Sequence, residues 1–233
     1  LIDSQMVIIE GDEYYSSFSD KKPKFLHYHP QILLITNIDM DHFDYYRNID
    51  DVMDKFRKLV KTVPPDGVII ACHDDKNVKR LLKDVDRKVI WYGLKGKNVN
   101  WKGEKIQQEN DKMSFVANKL TTSKKYKITL SLSGEHNVLN TLASVALLDH
   151  LDCDLQKATE KLVEFNGPTR RFEIKGVANG VTIIDDYAHH PTAVMATLQA
   201  ARSKYPESKI WAVFEPHTFS RTQATKAELA EAF

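Results

Sequence analysis

Two acids, a tyrosine and two histidines fall within eight consecutive residues, Asp185-Asp186-Tyr187-Ala188-His189-His190-Pro191-Thr192, between an apolar run and a stretch with helical spacing. A turn needs far less polar chemistry than this. A carboxylate at a strand-to-helix turn commonly accepts from a ribose hydroxyl, and a helix amino terminus favours an anion. Downstream, Pro216-His217-Thr218-Phe219-Ser220-Arg221 repeats the theme at a further strand end. Its cations suit a carboxylate or a phosphate.

Three further stretches carry chemistry. Glu10-Gly11-Asp12-Glu13 ends an apolar run, and carboxylates at such a strand end can hold Mg2+, a hard cation that prefers oxygen. Thr36-Asn37-Ile38-Asp39-Met40-Asp41-His42 ends another. Its histidine beside carboxylates suits a metal ligand or a proton-transfer group. A solvated loop with His42 paired to Asp41 or Asp44 is the competing reading. Two acidic ends on neighbouring strands favour a shared metal site over either alone. In Gly134-Glu135-His136-Asn137-Val138-Leu139-Asn140, Asn137 and Asn140 share a helix face. Their amides both donate and accept, which suits a purine edge; the alternative is a polar first turn that caps a helix.

These stretches need strands and helices to place them. Residues 6–9, 32–38, 68–71 and 89–92 read as buried strands. Residues 49–63 space Val52, Phe56, Leu59, Val60 and Val63 as a helix does. Another helix runs to about Val85. Strands alternating with helices indicate a mostly parallel α/β sheet. Residues 99–132 alternate apolar and polar, as a small antiparallel sheet does. Helices follow over 135–151 and on to about Phe165. Asn166-Gly167-Pro168 is the candidate hinge, dividing the chain into 1–166 and 167–233. Past it, 172–177 and 181–184 form a hairpin turned by Asn179-Gly180. Pro191 starts a helix, 210–214 is a buried strand, and a last helix starts near Ser220.

Lys+Arg at 33 nearly cancel Asp+Glu at 32, so bulk positive charge does not drive nucleic-acid binding. No apolar run spans a bilayer. Cys72 and Cys153 form no CxxC or Cys/His cluster, and a reducing cytoplasm fits best.

Taken together, the order and spacing of these stretches resemble the Mur ligases, the cytoplasmic enzymes that build the peptide of peptidoglycan. The resemblance covers nearly the whole chain and is most specific over residues 185–192. It implies a P-loop-type mononucleotide-binding central domain, with a mostly parallel sheet plus a small antiparallel one, over 1–166. An incomplete Rossmann-like α/β domain follows over 167–233. It also implies an ATP- and Mg2+-dependent amide ligase. Within the family, residues 185–192 and the His217 to Arg221 stretch look like the alanine-adding branch, which joins L-alanine to UDP-N-acetylmuramate. Glu10-Gly11-Asp12-Glu13-Tyr14 and Lys24-Phe25-Leu26-His27-Tyr28 are also similar to the relative that recycles a whole tripeptide onto the same sugar nucleotide.

The resemblance assigns Glu10 and His42 as Mg2+ ligands beside the γ-phosphate, with Asn37 supporting that loop. It turns His136, Asn137 and Asn140 to the adenine, brings Arg171 to the nucleotide phosphates, and gives the ribose to Asp186. It turns His190, His217 and Arg221 to the substrate carboxylate and the incoming amino acid. Phe56 stands where several relatives carry a carbamoylated lysine, as in the alanine-adding branch. No Gly-rich run ending in Gly-Lys-Thr/Ser lies in residues 1–233. The resemblance places that loop upstream, so this piece alone is expected to be inactive. The expected partners are small molecules, with no nucleic acid and no membrane, and a monomer or homodimer. A non-catalytic nucleotide-binding module is the alternative from another class.

Overall fold

The computed structural model describes residues 6–109, 112–216 and 218–233. Ile32–Ile35 (β1), Val68–Cys72 (β2) and Lys88–Gly93 (β3) pair in parallel. β2 reads Val-Ile-Ile-Ala-Cys and is buried at every position, as a parallel strand covered on both faces must be. Its residues divide by parity: Val68, Ile70 and Cys72 enter one core, Ile69 and Ala71 the other.

The helices that cover the two faces start where their caps dictate. Ile49–Thr62 (α1) begins after Asn48, whose side chain accepts from Asp51 N at 3.0 Å. Lys76–Leu82 (α2) begins after Asp75, which accepts from Val78 N at 2.7 Å. Both are N-caps of the expected type. α1 and α2 bury Val52, Met53, Leu59, Val78, Leu81 and Leu82 against one face. Glu135–His150 (α3) covers the other with Val138, Leu142, Val145 and Ala146, and Leu155–Lys161 (α4) adds Leu155.

The alternating segment forms Trp101–Glu109 (β4), Lys112–Lys119 (β5) and Lys124–Leu130 (β6), an antiparallel meander. It is continuous with the parallel strands: Tyr92 and Gly93 of β3 pair with Trp101 and Lys102 of β4, giving one six-stranded sheet, β1 to β6 in order.

Beyond Gly167, Glu173–Ala178 (β7) and Val181–Asp185 (β8) form the expected hairpin. Asn179 and Gly180 take φ 50° and 78°, the paired left-handed turn that suits the twist of two strands. Pro191–Lys204 (α5) has Pro191 in its first turn. The last helical stretch is two helices, Phe219–Ala224 (α6) and Lys226–Ala232 (α7), broken at Thr225. Val194, Leu229 and Ala232 make a small core between α5 and α7.

Two expected buried strands do not form. Residues 6–9 and 210–214 lie outside strands, with Ile8 81% and Val213 fully exposed. An apolar run becomes a strand only when a neighbour takes its backbone groups and a layer covers its side chains. Among the described residues neither run has such a neighbour: β1 is the sheet edge, and β8 pairs only with β7. The 167–233 part therefore shows a hairpin and helices among its described residues, without a parallel sheet. No helix among the described residues is long and apolar enough to cross a membrane. Both cysteines are free, Cys72 buried and Cys153 exposed.

Candidate functional site

The loop after β1 is the centre of the site. Ile38 is buried and its carbonyl accepts from Asn77 Nδ2 of α2 at 2.8 Å. That bond fixes the loop's start. Its end turns sharply: His42 has φ 52°, a left-handed conformation costing a side-chain-bearing residue about 1 kcal/mol. The turn lets His42 N donate to its neighbour Asp41 Oδ1 at 2.6 Å and aims the imidazole at the acidic loop. There His42 Nε2 donates to Glu13 Oε1 at 2.9 Å.

The sequence named Glu10 and His42 as fellow ion ligands and did not foresee the pairing of His42 with Glu13. His42 meets Glu13, not Glu10. Glu10 is exposed and lines an open cavity of about 360 Å3 with Gly11, Asp12, Glu13, Lys24 and Tyr28. Asp12 is held by Lys24 Nζ at 2.6 Å and Tyr14 N at 2.8 Å. Burial works to raise the Asp12 carboxyl, but those two donors outweigh it and hold it below the usual range. The hydrogen bond to Glu13 lifts His42 above its ordinary value, burial opposing it and Asp41 adding to it.

Among the described residues, no three His, Cys, Asp or Glu side chains converge as a closed metal cage. Mg2+ rarely uses one; it keeps several waters and takes one or two carboxylates plus phosphate oxygens. Glu10 and Glu13 offer hard oxygen donors on one cavity, Asp12 being taken up by Lys24 and Tyr14 N, with His42 at the edge through Glu13. That donor set fits an open, mostly hydrated ion.

The second wall reaches the same loop from the far end of the chain. His190, at the N-cap of α5, donates from Nε2 to the Met40 carbonyl at 2.7 Å. Thr192 Oγ1 donates to Asp39 Oδ2 at 2.6 Å, placing a carboxylate at the amino end of α5, where the helix dipole favours it. Arg221 is 9% exposed, and its Nε and Nη2 donate to Asp41 Oδ1 at 3.0 and 2.7 Å. Burial tends to raise the Asp41 carboxyl, yet His42 N–H and the Arg221 guanidinium hold it below the ordinary range. The side chains assigned to the substrate carboxylate, His190 and Arg221, thus engage the 39–41 loop. His217 lies outside the described residues.

The stretch at 134–140, expected to take the purine, lies close enough to Asp186, expected to take the ribose, for the Asp186 charge to act on His136. Gly134 opens α3 at φ 102°, and a Cβ there would sit 2.5 Å from His136 Cε1 and 3.1 Å from Ala200 Cβ of α5. Glycine is required both for that φ and for the space. His136 keeps an exposed edge, but the crowding of its ring desolvates it and holds its imidazole below the ordinary value, the Asp186 charge opposing. Asn137 Nδ2 donates to Ser133 O at 2.8 Å, and Asn140 lies exposed one turn on.

Asp186 is a knot in its own segment. Its Oδ2 accepts from Phe172 N and its Oδ1 from Ala188 N, each at 2.7 Å. Arg171 is exposed, its guanidinium 6.0 Å from the Tyr187 ring. Arg170 lies 4.7 Å from the same ring and 3.4 Å from Asp185. Asn37 is exposed and accepts from Thr36 Oγ1 at 3.2 Å. Phe56 packs on Phe25, ring centroids 5.1 Å apart.

Sequence reasoning gave Asp39 and Thr192 no role of their own, Glu13 only a share in an acidic stretch, and Asp41 only an alternative pairing with His42. All four stood inside the quoted stretches, so the signal was there, but a pattern of types does not say which acid of a cluster faces which base. Tyr46, whose hydroxyl donates to the Glu13 carbonyl, gave no signal at all.

The chain also matches known proteins over most of its length. The Mur ligase middle domain matches residues 3–148, and the Mur ligase, glutamate ligase domain matches residues 170–233. The chain is 40% identical over 232 residues to a UDP-N-acetylmuramate--L-alanine ligase of Caldanaerobacter subterraneus subsp. tengcongensis, covering 99% of this chain and 48% of that protein. It is also 40% identical over 228 residues to one of Acetivibrio thermocellus, covering 97% and 46%. The chain spans about half the length of the curated relatives it matches. Among solved structures, UDP-N-acetylmuramate-alanine ligase of Thermotoga maritima superposes with a TM-score of 0.69 at 27% identity, over 89% of this chain and 48% of that one. A murein peptide ligase of Psychrobacter arcticus gives 0.66 at 30%, over 90% and 42%. With both domain models matched in order, and with the loop after β1 meeting the segments around α5 and α6, this chain belongs to the Mur ligase family.

Proposed function

We propose that the protein carrying this chain is an ATP-dependent ligase that joins L-alanine to UDP-N-acetylmuramate, in the cytoplasm, for peptidoglycan precursor synthesis. One observation carries the reading. The strand-end loop holding His42 is met from one side by Glu13 and from the other by His190, Thr192 and Arg221. Residues 1–166 and 167–233 serve as central and C-terminal domains, each supplying one wall of a nucleotide cleft. The 40% identity to alanine-adding enzymes across nearly the whole chain supports the choice of substrates.

In this reading the muramate carboxylate attacks the γ-phosphorus of ATP, ADP leaves, and an acyl phosphate forms. The alanine amine then attacks the acyl carbon, phosphate leaves, and the amine loses its proton as the amide forms. The protein positions the reactants and neutralises charge. Mg2+, when bound, would supply charge neutralisation at the phosphates; Glu10, Glu13 and His42 would hold it. Arg171 would approach the phosphates. His136, Asn137 and Asn140 would line the adenine, with Asn37 supporting the loop. Asp186, its oxygens already shared with two backbone amides, would accept a ribose hydroxyl on a remaining lone pair. His190 and Arg221 would act through the 39–41 loop, turning to the substrates if the loop moves.

The test is phosphate release from ATP by the full-length protein, expected only when UDP-N-acetylmuramate and L-alanine are both present. Release without the amino acid would overturn the reading. The 30% identity to a murein peptide ligase favours a second arm: equal or faster turnover with L-Ala-γ-D-Glu-meso-diaminopimelate would make this the tripeptide-recycling enzyme.

A further inference from the structure

Around the acidic loop and His42 the structure gathers phenols that the reaction does not use. The Tyr14 ring lies tilted over the His42 ring, centroids 4.5 Å apart, and touches Tyr15 at 4.1 Å. Tyr45 meets Tyr46 edge-on at 4.5 Å. Three bonds cross between residues 13–14 and 42–46. The Tyr46 hydroxyl donates to the Glu13 carbonyl, the Tyr14 hydroxyl to the Asp44 carboxylate, and His42 Nε2 to the Glu13 carboxylate at 2.9 Å. Because each segment donates to the other, they form a reciprocal clasp.

The two phenols are not equivalent. Tyr46 is 2% exposed and packs in one core with Phe25, Ile38 and Met53. Its backbone N–H donates to the His42 carbonyl at 2.9 Å. Its position is therefore set by the core and by the turn that contains His42. Tyr14 sits half-buried in an irregular strap. Tyr46 is the fixed post and the strap is what it holds. A bond to a backbone carbonyl moves the whole 10–13 loop, where a bond to one side chain would move only that side chain. Burial raises the Tyr46 phenol well above its ordinary value, with the nearby Tyr45 and Glu13 adding to it.

We propose that Tyr46 is a positioning residue for the acidic loop: by fixing the Glu13 carbonyl it sets the Glu13 carboxylate on the His42 imidazole, at the cavity edge where Mg2+ would be held. This rests on the ligase reading above for the presence of an ion. Partners that orient ligands from behind commonly change metal affinity by about 10- to 100-fold.

Tyr46→Phe keeps the ring in the core and removes only the hydroxyl. In the full-length protein, with Mn2+ alone as probe and binding read by electron paramagnetic resonance, the variant is expected to bind about tenfold more weakly. Its melting temperature should fall by only about 2–4 °C. Tyr14→Phe should lose less affinity. Tyr92→Phe is the control. That phenol is buried on the opposite face of the sheet, its hydroxyl 3.5 Å from the Ile35 carbonyl, and its loss should lower melting while leaving Mn2+ affinity unchanged. Wild-type Mn2+ affinity in Tyr46→Phe, an equal loss in Tyr92→Phe, or a wild-type protein that binds no Mn2+ would overturn the proposal. The ligase reading is judged apart: Tyr46-dependent Mn2+ binding without substrate-dependent phosphate release would retain the positioning role and sink the ligase.

Discussion

The two walls that meet at the 39–42 loop are held in different ways. The first, built on β1 to β6, has an apolar core on each face of its sheet, with Ile69, Ile70, Val138 and Leu142 fully enclosed. The second has a buried core of Val194, Leu229 and Ala232, and a hairpin whose Val177 and Val181 face solvent. Apolar burial is non-directional and fixes the first wall without any particular hydrogen bond. Besides the packing of Ala200 close to Gly134, the second wall meets the 39–42 loop through three polar contacts: His190 to Met40, Thr192 to Asp39 and Arg221 to Asp41. Directional bonds specify orientation, and they are also easily broken singly.

That contrast can be broken first at the core. Leu142→Ala should cost about 3 kcal/mol, the usual size for a fully buried leucine. Amide exchange should then speed up in α3 and β4 to β6. An equal loss of protection in α5 and α7 would mean that the two walls unfold as one body. Next in size is Arg221→Ala. It leaves the Asp41 carboxylate, side chain 28% exposed, without its cation, at a cost of about 2–3 kcal/mol. Exchange should quicken in α6 and α7 while β1 to β3 stay protected. Unchanged exchange in α6 and α7 would show that Arg221 does not anchor the second wall.

What the sequence made legible follows the same division. Residues 49–63 repeat their apolar positions at helical spacing, so α1 can be read locally. Asn179-Gly180 names its turn because few residue pairs accept two positive φ values. The run at 68–71 is a strand because β1, β3 and two helix layers cover it. The equally apolar runs at 6–9 and 210–214 lack such cover among the described residues. Hydrophobicity in a window does not report who the neighbours are. At the site, the polar stretches were visible by type, but their pairing was not. Glu10 and Glu13 are both acids of one short stretch, and only the positive φ at His42 turns the imidazole to Glu13.

A smaller effect should come from Thr192→Val, which removes one hydrogen bond to the Asp39 carboxylate at the start of α5. The expected cost is about 1 kcal/mol. Measured together with Asp39→Asn in a double-mutant cycle, the two changes should be less than additive. Full additivity would mean that this contact does not join the walls.

The smallest expected effect is a pH dependence at the junction of α3 and α5. Desolvation depresses the His136 imidazole in the folded state, with Asp186 partly opposing, while the unfolded chain has the ordinary value of about 6.5. Below that value the unfolded chain binds the extra proton more readily than the folded one, so stability falls as pH drops. The His136 contribution is therefore fully present above about pH 6.5 and declines below it, until the folded-state value is also passed. His136→Gln keeps a polar side chain and cannot titrate. Its melting temperature should fall less between pH 8 and pH 5.5 than that of the unsubstituted protein. Because Gly134 lets this ring lie near Ala200 of α5, the difference should appear in the amide exchange of α5 as well as α3. A difference confined to α3 would mean that His136 reports on its own helix and plays no part in joining the two walls.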